Sequence, residues 1–168
     1  AGPSPQNKYS TDYQAGALSF EFVSNGKKIF TNSGIYNKKN IKLNKLSKST
    51  AVHNVLIIDD NSSCKFRKNS NHELEIREGI KIIKKKINYE KNFWKVLLAH
   101  DGYLKRYNLY YEREIEFYPE NNKLIGCDKI KGVKMLPNLK FDIRFHLDPS
   151  AKIMKTQNNK SIFIEYET

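Results

Sequence analysis

The sequence is poor in several residue types that mark particular classes of protein. Only two of its 168 residues are cysteines. Cys64 and Cys127 have neither a CxxC spacing nor an adjacent histidine, so nothing supports a thiol-based metal or redox site. A disulfide between them is left open, but we expect two reduced, partly buried thiols. No apolar run approaches the ~18–20 residues that a membrane-spanning helix needs, so we expect no membrane span.

Arginine is scarce although the chain is strongly basic. Lysine and arginine together number 30 and aspartate and glutamate 18, for a net charge of +12, yet only five of the basic residues are arginines. Proteins that read nucleic-acid bases favour the arginine fork, so we expect no specific nucleic-acid partner. The lysines are spread over separate segments. Their excess has two explanations: a surface that attracts an acidic polymer, or a genome biased towards lysine, asparagine and isoleucine codons.

Alternation of apolar and polar residues is the pattern that the sequence does contain, repeated many times between turn residues. Hydrophobic residues make up 39% of the chain and aromatic residues 12%, which is enough for a core. A two-residue period predicts strands, and no convincing stretch has the 3.6-residue period of a helix. We therefore predict an all-β chain, an antiparallel β-sandwich of about ten to twelve strands. The predicted strands are 18–22, 28–32, 52–58, 74–77, 80–89, 93–98, 110–118, 123–126, 139–147, 152–155 and 162–166.

The segments between the strands predict turns and one long loop. Ser24-Asn25-Gly26-Lys27 predicts a hairpin turn, and the polar residues 35–50 predict a long exposed loop. No repeat or linker divides the chain, so residues 1–168 are predicted to form one domain. The start lacks an initiator methionine and a signal-peptide pattern, and the end falls within or just after a strand. We expect a fragment of a longer protein, incomplete at both ends.

Four histidines are the first candidates for chemistry. His72 lies in a polar turn and is expected to have no role. His53 begins the apolar predicted strand 52–58, where a structural hydrogen bond is its simplest use. His100 ends a strand at the turn 100–103. No two histidines have the i, i+2 or i, i+4 spacing of a metal motif.

The fourth histidine, His146, lies in the segment Arg-Phe-His-Leu-Asp at 144–148. Alternation places Arg144, His146 and Asp148 on one face of a strand, either as a site or, more simply, as a cross-strand polar ladder. The alternating glutamates of strand 110–118 are expected to form a solvated face. No phosphate loop, nucleophile elbow or Ser-His-Asp order can be picked out.

Seven short stretches carry a resemblance that runs over nearly the whole chain. In their order and spacing they resemble the C-terminal β-sandwich of the heparinase II/III family of polysaccharide lyases, particularly its alphaproteobacterial members. The stretches are Ala17-Leu18-Ser19-Phe20-Glu21, Thr31-Asn32-Ser33-Gly34, Ser49-Thr50-Ala51-Val52-His53-Asn54-Val55-Leu56, His100-Asp101-Gly102-Tyr103, Glu112-Arg113, Gly126-Cys127-Asp128 and Arg144-Phe145-His146-Leu147-Asp148-Pro149.

The resemblance implies an activity and a partner domain. In such proteins the sandwich packs on an N-terminal α/α-toroid, and uronate-containing polysaccharides are cleaved by β-elimination in the cleft between the two. Elimination requires that the uronate carboxylate is neutralised and that a base and an acid move protons. The toroid supplies tyrosine, histidine or asparagine groups for this, and a basic sandwich wall would help to hold the substrate. The implied partners are thus an anionic polysaccharide and the missing toroid, and the implied location is the periplasm.

Candidate site residues lie in the matching stretches. The catalytic candidates are His53, His100 and His146, and the candidates for substrate binding are Tyr103, Arg144 and His146. Whether the chain takes part in catalysis is left open. It is either the sandwich of a lyase, inactive alone, or a noncatalytic glycan-binding or scaffolding relative. A nucleic-acid-binding β domain is a third alternative that only the charge supports.

Zinc is implied for some relatives but not for this chain. Zinc-binding members carry His-x-His-Ala-Asp before the Leu-Ser-Phe strand, then an aspartate, and then a histidine at the position of His53. Here the first stretch is Asp-Tyr-Gln-Ala-Gly at 12–16, and the second position falls at or near Asn32. His53 is the only matching ligand, and one imidazole does not make a zinc site. We therefore expect no zinc and no other cofactor.

Overall fold

The computed structural model describes residues 2–34, 40–132 and 138–166. Within these ranges the chain forms twelve strands that all pair antiparallel, which confirms the predicted all-β sandwich. The strands are β1 (Phe22–Ser24), β2 (Lys27–Phe30), β3 (Leu56–Ile58), β4 (Lys65–Lys68), β5 (Leu74–Glu78), β6 (Ile82–Glu90), β7 (Phe93–His100), β8 (Leu109–Tyr118), β9 (Lys123–Gly132), β10 (Phe141–Ile143), β11 (Lys152–Lys155) and β12 (Ile162–Glu165).

Five sheets contain these strands. One is four-stranded, in the order β6-β7-β8-β9, and the two-stranded sheets pair β1 with β2, β3 with β10, β4 with β5 and β11 with β12. The helices of the described ranges are α1 (Ile41–Ser47), α2 (Leu104–Tyr107) and three 3₁₀ turns at 7–10, 50–52 and 119–121. In the part of the chain that the structure describes, no helix has the length and apolar character needed to cross a membrane.

Short connections organise the four-stranded sheet. Glu90 pairs with Phe93, so only two residues turn β6 into β7. Between β8 and β9, Asn122 has a φ of 47°, a left-handed conformation that asparagine adopts more readily than most residues. Successive side chains along a strand point to opposite sides, so the sheet has two distinct faces. We call the face that carries Glu112 the outer face and the face that carries Arg113 the inner face.

The outer face is built on ion pairs. Glu112 is only 3% exposed, and Lys84 and Lys131 each donate a hydrogen bond of 2.7 Å to its carboxylate. The bonds to Lys131 and to Lys84 lower the pKa of Glu112. The other two glutamates of β8 share Lys95 at 2.9 Å. The prediction of a solvated face is therefore wrong for Glu112, whose charge is paired with lysines.

The inner face packs against the β3–β10 pair. One buried cluster unites Leu56 and Ile58 of β3 with Leu109 and Tyr111 at the start of β8, and with Tyr103. Two sheets joined through such an apolar cluster form the two layers of the sandwich. Cys64 is buried and Cys127 is half-buried, and no disulfide joins these two described residues.

Three strands are shorter than the sequence predicts by two residues or more. The strand predicted at 18–22 begins only at Phe22, because Leu18 has a left-handed backbone. The strand predicted at 52–58 begins at Leu56, because residues 50–52 form a 3₁₀ turn. The strand predicted at 139–147 covers only Phe141–Ile143. In these regions the backbone is also held by side-chain hydrogen bonds, described below, which apolar–polar alternation does not reveal.

The exposed loop predicted at 35–50 is wrong in part. Residues 41–47 form α1, and the side chain of Asn40 caps it by accepting a 3.1 Å hydrogen bond from the backbone N–H of Leu43. Asparagine is among the preferred N-cap residues. With seven residues the helix is too short for a 3.6-residue period to stand out. Residues 35–39 lie outside the described ranges.

Candidate functional site

A groove of about 460 Å³ lies over the inner face of the four-stranded sheet. Trp94, Val96 and Leu98 of β7 and Ile115 of β8 form its apolar floor. Residues 13, 14 and 16–20 form the wall of the groove and add polar side chains. An apolar cleft with a few polar groups is the usual form of a ligand site. The groove is therefore the candidate functional site.

Arg113 fastens the wall of the groove to the sheet. Its guanidinium forms a two-point ion pair with Asp128, at 2.6 and 3.0 Å. Its Nη1 also donates to the carbonyl oxygens of Leu18, at 3.1 Å, and of Asn54. Arg113 is buried, and a buried charge is tolerated only where it is paired and hydrogen-bonded. Because the ion pair holds the guanidinium in place, its hydrogen bonds fix the backbone at residues 18 and 54 relative to β8.

Leu18 has a strained backbone at this wall. Its φ is 64°, in the left-handed region that a bulky side chain rarely adopts. Such strain costs on the order of 1–3 kcal/mol and persists only where the surroundings enforce it. Here the hydrogen bond from Arg113 and the burial of the leucine side chain in the core enforce it. Because strained residues cluster at functional sites, the conformation of Leu18 supports the choice of the groove.

Asn54 ties three further segments together. Its side-chain amide donates to the carbonyl oxygens of Phe20, at 3.0 Å, and Thr31, at 3.1 Å, and accepts from the backbone N–H of His146. The side chain is fully buried. Each of these bonds, if lost, would leave a polar group buried without a partner. Asn54 therefore determines where Phe20 lies in the groove wall.

Tyr13 and Arg113 are the titratable side chains that line the groove in the described ranges. Burial first, and then Cys64, raise the pKa of Tyr13 well above its ordinary value. The phenol stays protonated at neutral pH, so it can donate a hydrogen bond but cannot serve as a base. The groove thus offers groups for binding rather than for proton abstraction.

His53, a catalytic candidate, is buried against the wall segment. A Cβ at position 16 would lie 2.7 Å from its Cγ, so the close approach of the ring requires Gly16. Burial first, and then His146, lower the pKa of His53 to about 4. Its Nε2 is buried and has no hydrogen-bond partner among the residues that the structure describes. The imidazole is therefore neutral at neutral pH, and the structural hydrogen bond expected for it is not found at Nε2.

His100 and Tyr103 lie together in the core, with ring centroids 5.9 Å apart. His100 Nδ1 accepts a 3.0 Å hydrogen bond from the backbone N–H of Gly102. The Tyr103 hydroxyl donates to the carbonyl oxygen of Leu56 at 3.3 Å, and only 1% of the residue is exposed. Burial lowers the pKa of His100 to about 4. Both side chains have partners inside the chain, and neither lines the groove.

The polar ladder predicted for Arg144, His146 and Asp148 is wrong, because β10 ends before Arg144. Arg144 pairs instead with two exposed aspartates at 2.9 and 3.3 Å. His146 Nε2 lies 3.1 Å from the carbonyl oxygen of Ala51, and Asp148 closes a local turn. Of the sequence candidates, the structure thus brings together His53 with His146, and His100 with Tyr103.

The residues that shape the groove were not candidates in the sequence. Among these residues, Arg113 is the one whose role the sequence pattern indicates. Alternation places it on the same face as Tyr111, Ile115 and Phe117, and a charged residue on an apolar face indicates a buried pair. Trp94 and Asn54 carry no comparable signal, because each acts through residues that are distant in the sequence.

The whole chain matches a known protein family. The model of the family described as "Heparinase II/III-like, C-terminal" matches residues 1–168. The chain belongs to this family. We found no significant match among curated proteins and none among solved structures. The resemblance seen in the sequence is confirmed.

The residues at the zinc positions of this heparinase II/III-like domain do not fit the metal. The amide of Gln14 donates to two backbone carbonyl oxygens at 2.6 and 2.9 Å. The amide oxygen of Asn32 accepts from the backbone N–H of Asn54 at 3.0 Å. In the described ranges, no three histidine, cysteine, aspartate or glutamate side chains lie together in a group that could hold a metal ion. Amide hydrogen bonds hold these segments where zinc would need charged or imidazole ligands.

Proposed function

We propose that this heparinase II/III-like domain binds a uronate-containing anionic polysaccharide in the groove over its inner face. The groove carries the proposal: an apolar floor around Trp94 faces polar groups such as Ser19 and the Tyr13 hydroxyl. A sugar ring packs its C–H face on an aromatic side chain, while its hydroxyls bond to polar neighbours. The net charge of +12 would speed the approach of a polyanion.

The proposal extends to a lyase reaction in the intact protein, which the family relation supports. β-Elimination requires a base that takes the proton next to the uronate carboxylate. Tyr13 is held protonated, and His53 and His100 are buried. We therefore assign substrate binding to the groove and the proton transfers to the toroid that the resemblance implies. A periplasmic location belongs to the same proposal.

Binding is measurable through the single tryptophan of the chain, because Trp94 lies in the floor of the groove. Alginate or heparan sulfate oligosaccharides are expected to change its fluorescence saturably, whereas neutral dextran is not. Trp94→Ala should weaken binding by roughly tenfold in calorimetry, because the aromatic floor is lost. Trp94→Phe, which keeps a ring, is the matched control and should retain most of the affinity.

Two results would contradict the binding proposal. One is a fluorescence signal that does not saturate with any uronate-containing polysaccharide. The other is displacement by DNA as efficient as displacement by free polysaccharide at equal charge, because charge alone would then explain the binding.

A noncatalytic glycan-binding or scaffolding domain is the second candidate function. It is favoured because the described residues that line the groove include no base. The intact protein and the chain 1–168 should be assayed on heparin, heparan sulfate and alginate for the absorbance of unsaturated uronate. We expect product from the intact protein and none from the chain alone. Saturable binding by the intact protein without any product would reject the lyase proposal and support the second candidate.

A further inference from the structure

The inner face of the four-stranded sheet extends beyond the groove as an uncovered strip on the edge strand β6. Tyr89 is 80% exposed and Ile87 is 62% exposed. In the register of the sheet, Tyr89 pairs with Trp94 and Ile87 with Val96. Paired residues lie on the same face, so the strip continues the apolar floor of the groove outwards to the edge of the sheet.

The aromatic end of this strip has a defined arrangement. Trp94 also pairs with Phe117, and their ring centroids are 5.4 Å apart at 42°. Trp94 therefore has the packed ring of Phe117 as its neighbour on one side and the exposed Tyr89 on the other. An aromatic side chain this open to water usually marks a binding surface when it adjoins other apolar groups. The aromatic end of the strip suits a ligand that is flat and apolar on one side and hydrated on the other, as a pyranose ring is.

A cation lies on the same strip. Lys85 precedes Tyr89 by four residues on β6, so alternation puts both on the inner face, roughly 13 Å apart along the strand. Lys85 is exposed and pairs across the strands with Leu98, another residue of the groove floor. Lys85 therefore adds an exposed positive charge to the same face as the apolar strip, which would suit the charged group of another sugar in the same chain.

We propose that this strip is a subsite for an acidic oligosaccharide, in which Tyr89 and Trp94 stack against one sugar ring and Lys85 pairs with the carboxylate or sulfate of another. The inference rests on the proposed function and names where the polysaccharide leaves the groove. The charge of Lys85 and the continuity with the groove select this occupant over a second copy of the chain.

Three variants test the subsite by Trp94 fluorescence with acidic oligosaccharides of defined length. Tyr89→Ala should weaken binding by roughly tenfold. Lys85→Gln should weaken binding of the acidic oligosaccharide and reduce its salt dependence, since one ion pair is lost. Lys86→Gln is the matched control: it removes the same charge from the next residue, which faces the outer side, and should bind as the unchanged protein does. Thermal unfolding should be the same for all three, because Tyr89, Lys85 and Lys86 are exposed.

The outcomes separate this inference from the proposed function. If the unchanged protein binds saturably and Tyr89→Ala and Lys85→Gln bind equally well, the subsite is wrong and the function proposed for the groove stands. An equal loss with Lys86→Gln would also overturn the subsite, because only overall charge would matter. If Tyr89→Ala abolishes self-association in size-exclusion chromatography, the occupant is a second copy of the chain. If the unchanged protein does not bind at all, both proposals fail.

Discussion

Replacing Arg113 with methionine is expected to lower the free energy of unfolding by about 3–5 kcal/mol, the usual effect of breaking a buried ion pair. Among the described residues, the variant leaves the carboxylate of Asp128 with the Tyr111 hydroxyl as its remaining side-chain partner. It also removes the donor to the carbonyl oxygen of strained Leu18. Urea unfolding measures the loss of stability, and a change in Trp94 emission would show that the groove wall has moved.

Two further variants control this experiment. Arg144→Met removes an arginine whose aspartate partners are exposed, so its cost should stay below about 1 kcal/mol. Asp128→Asn combined with Arg113→Met removes the unpaired charge, so the double variant should regain part of the stability lost in the single variant. If Arg113→Met lowers the free energy of unfolding no more than Arg144→Met does, the buried pair does not stabilise the groove wall as its geometry indicates.

Acidification from about pH 6.5 to pH 4 is expected to remove several kcal/mol of stability. His53 and His100 are neutral in the folded chain, with the pKa of each lowered from 6.5 to about 4, mainly by burial. Between pH 6.5 and about pH 4, these histidines bind protons in the unfolded chain but not in the folded chain. The stabilisation is therefore complete above the unfolded pKa and is lost as the pH falls towards the folded one. At about 1.4 kcal/mol per pKa unit, each histidine contributes about 3 kcal/mol.

A substitution isolates the contribution of one histidine. His100→Asn keeps an acceptor for the backbone N–H of Gly102 but does not titrate in this range, so the slope of stability against pH should fall by about one proton. His72→Asn is the matched control, because His72 is exposed and has a φ of 60° that asparagine accepts easily. An unchanged slope in His100→Asn, or an equal fall in His72→Asn, would contradict the assignment.

Local patterns predict β6, β7 and β8 of the four-stranded sheet closely, but only the first four residues of β9. Alternation places β8 at 110–118, and the structure has it at Leu109–Tyr118. The two-residue period and the turn at Pro119 are both properties of neighbouring residues, so the sequence displays them directly. The assignment of Arg113 to the face opposite the glutamates is correct for the same reason.

The network around Asn54 could not be predicted in this way. Asn54 accepts from Arg113, 59 positions away, and from the backbone of His146, 92 positions away. These contacts replace strand pairing at 52–55, so the strand predicted at 52–58 is too long. The bond from the backbone of His146 to the Asn54 side chain likewise interrupts the strand predicted at 139–147. The groove depends equally on distant residues, since residues 13–20 meet strands that begin some seventy positions later. Only the packed chain brings these groups together.

The lysines on the two edge strands of the four-stranded sheet have a role that requires no binding partner. Within the described ranges, β6 and β9 each have one side without a neighbouring strand, and an open strand can template the pairing of another molecule. β6 carries a run of three lysines at 84–86, and β9 carries three more along its length. Charged side chains at such edges discourage edge-to-edge aggregation. The lysines on these two edge strands, Lys85 of the proposed subsite among them, therefore help to keep the sheet soluble.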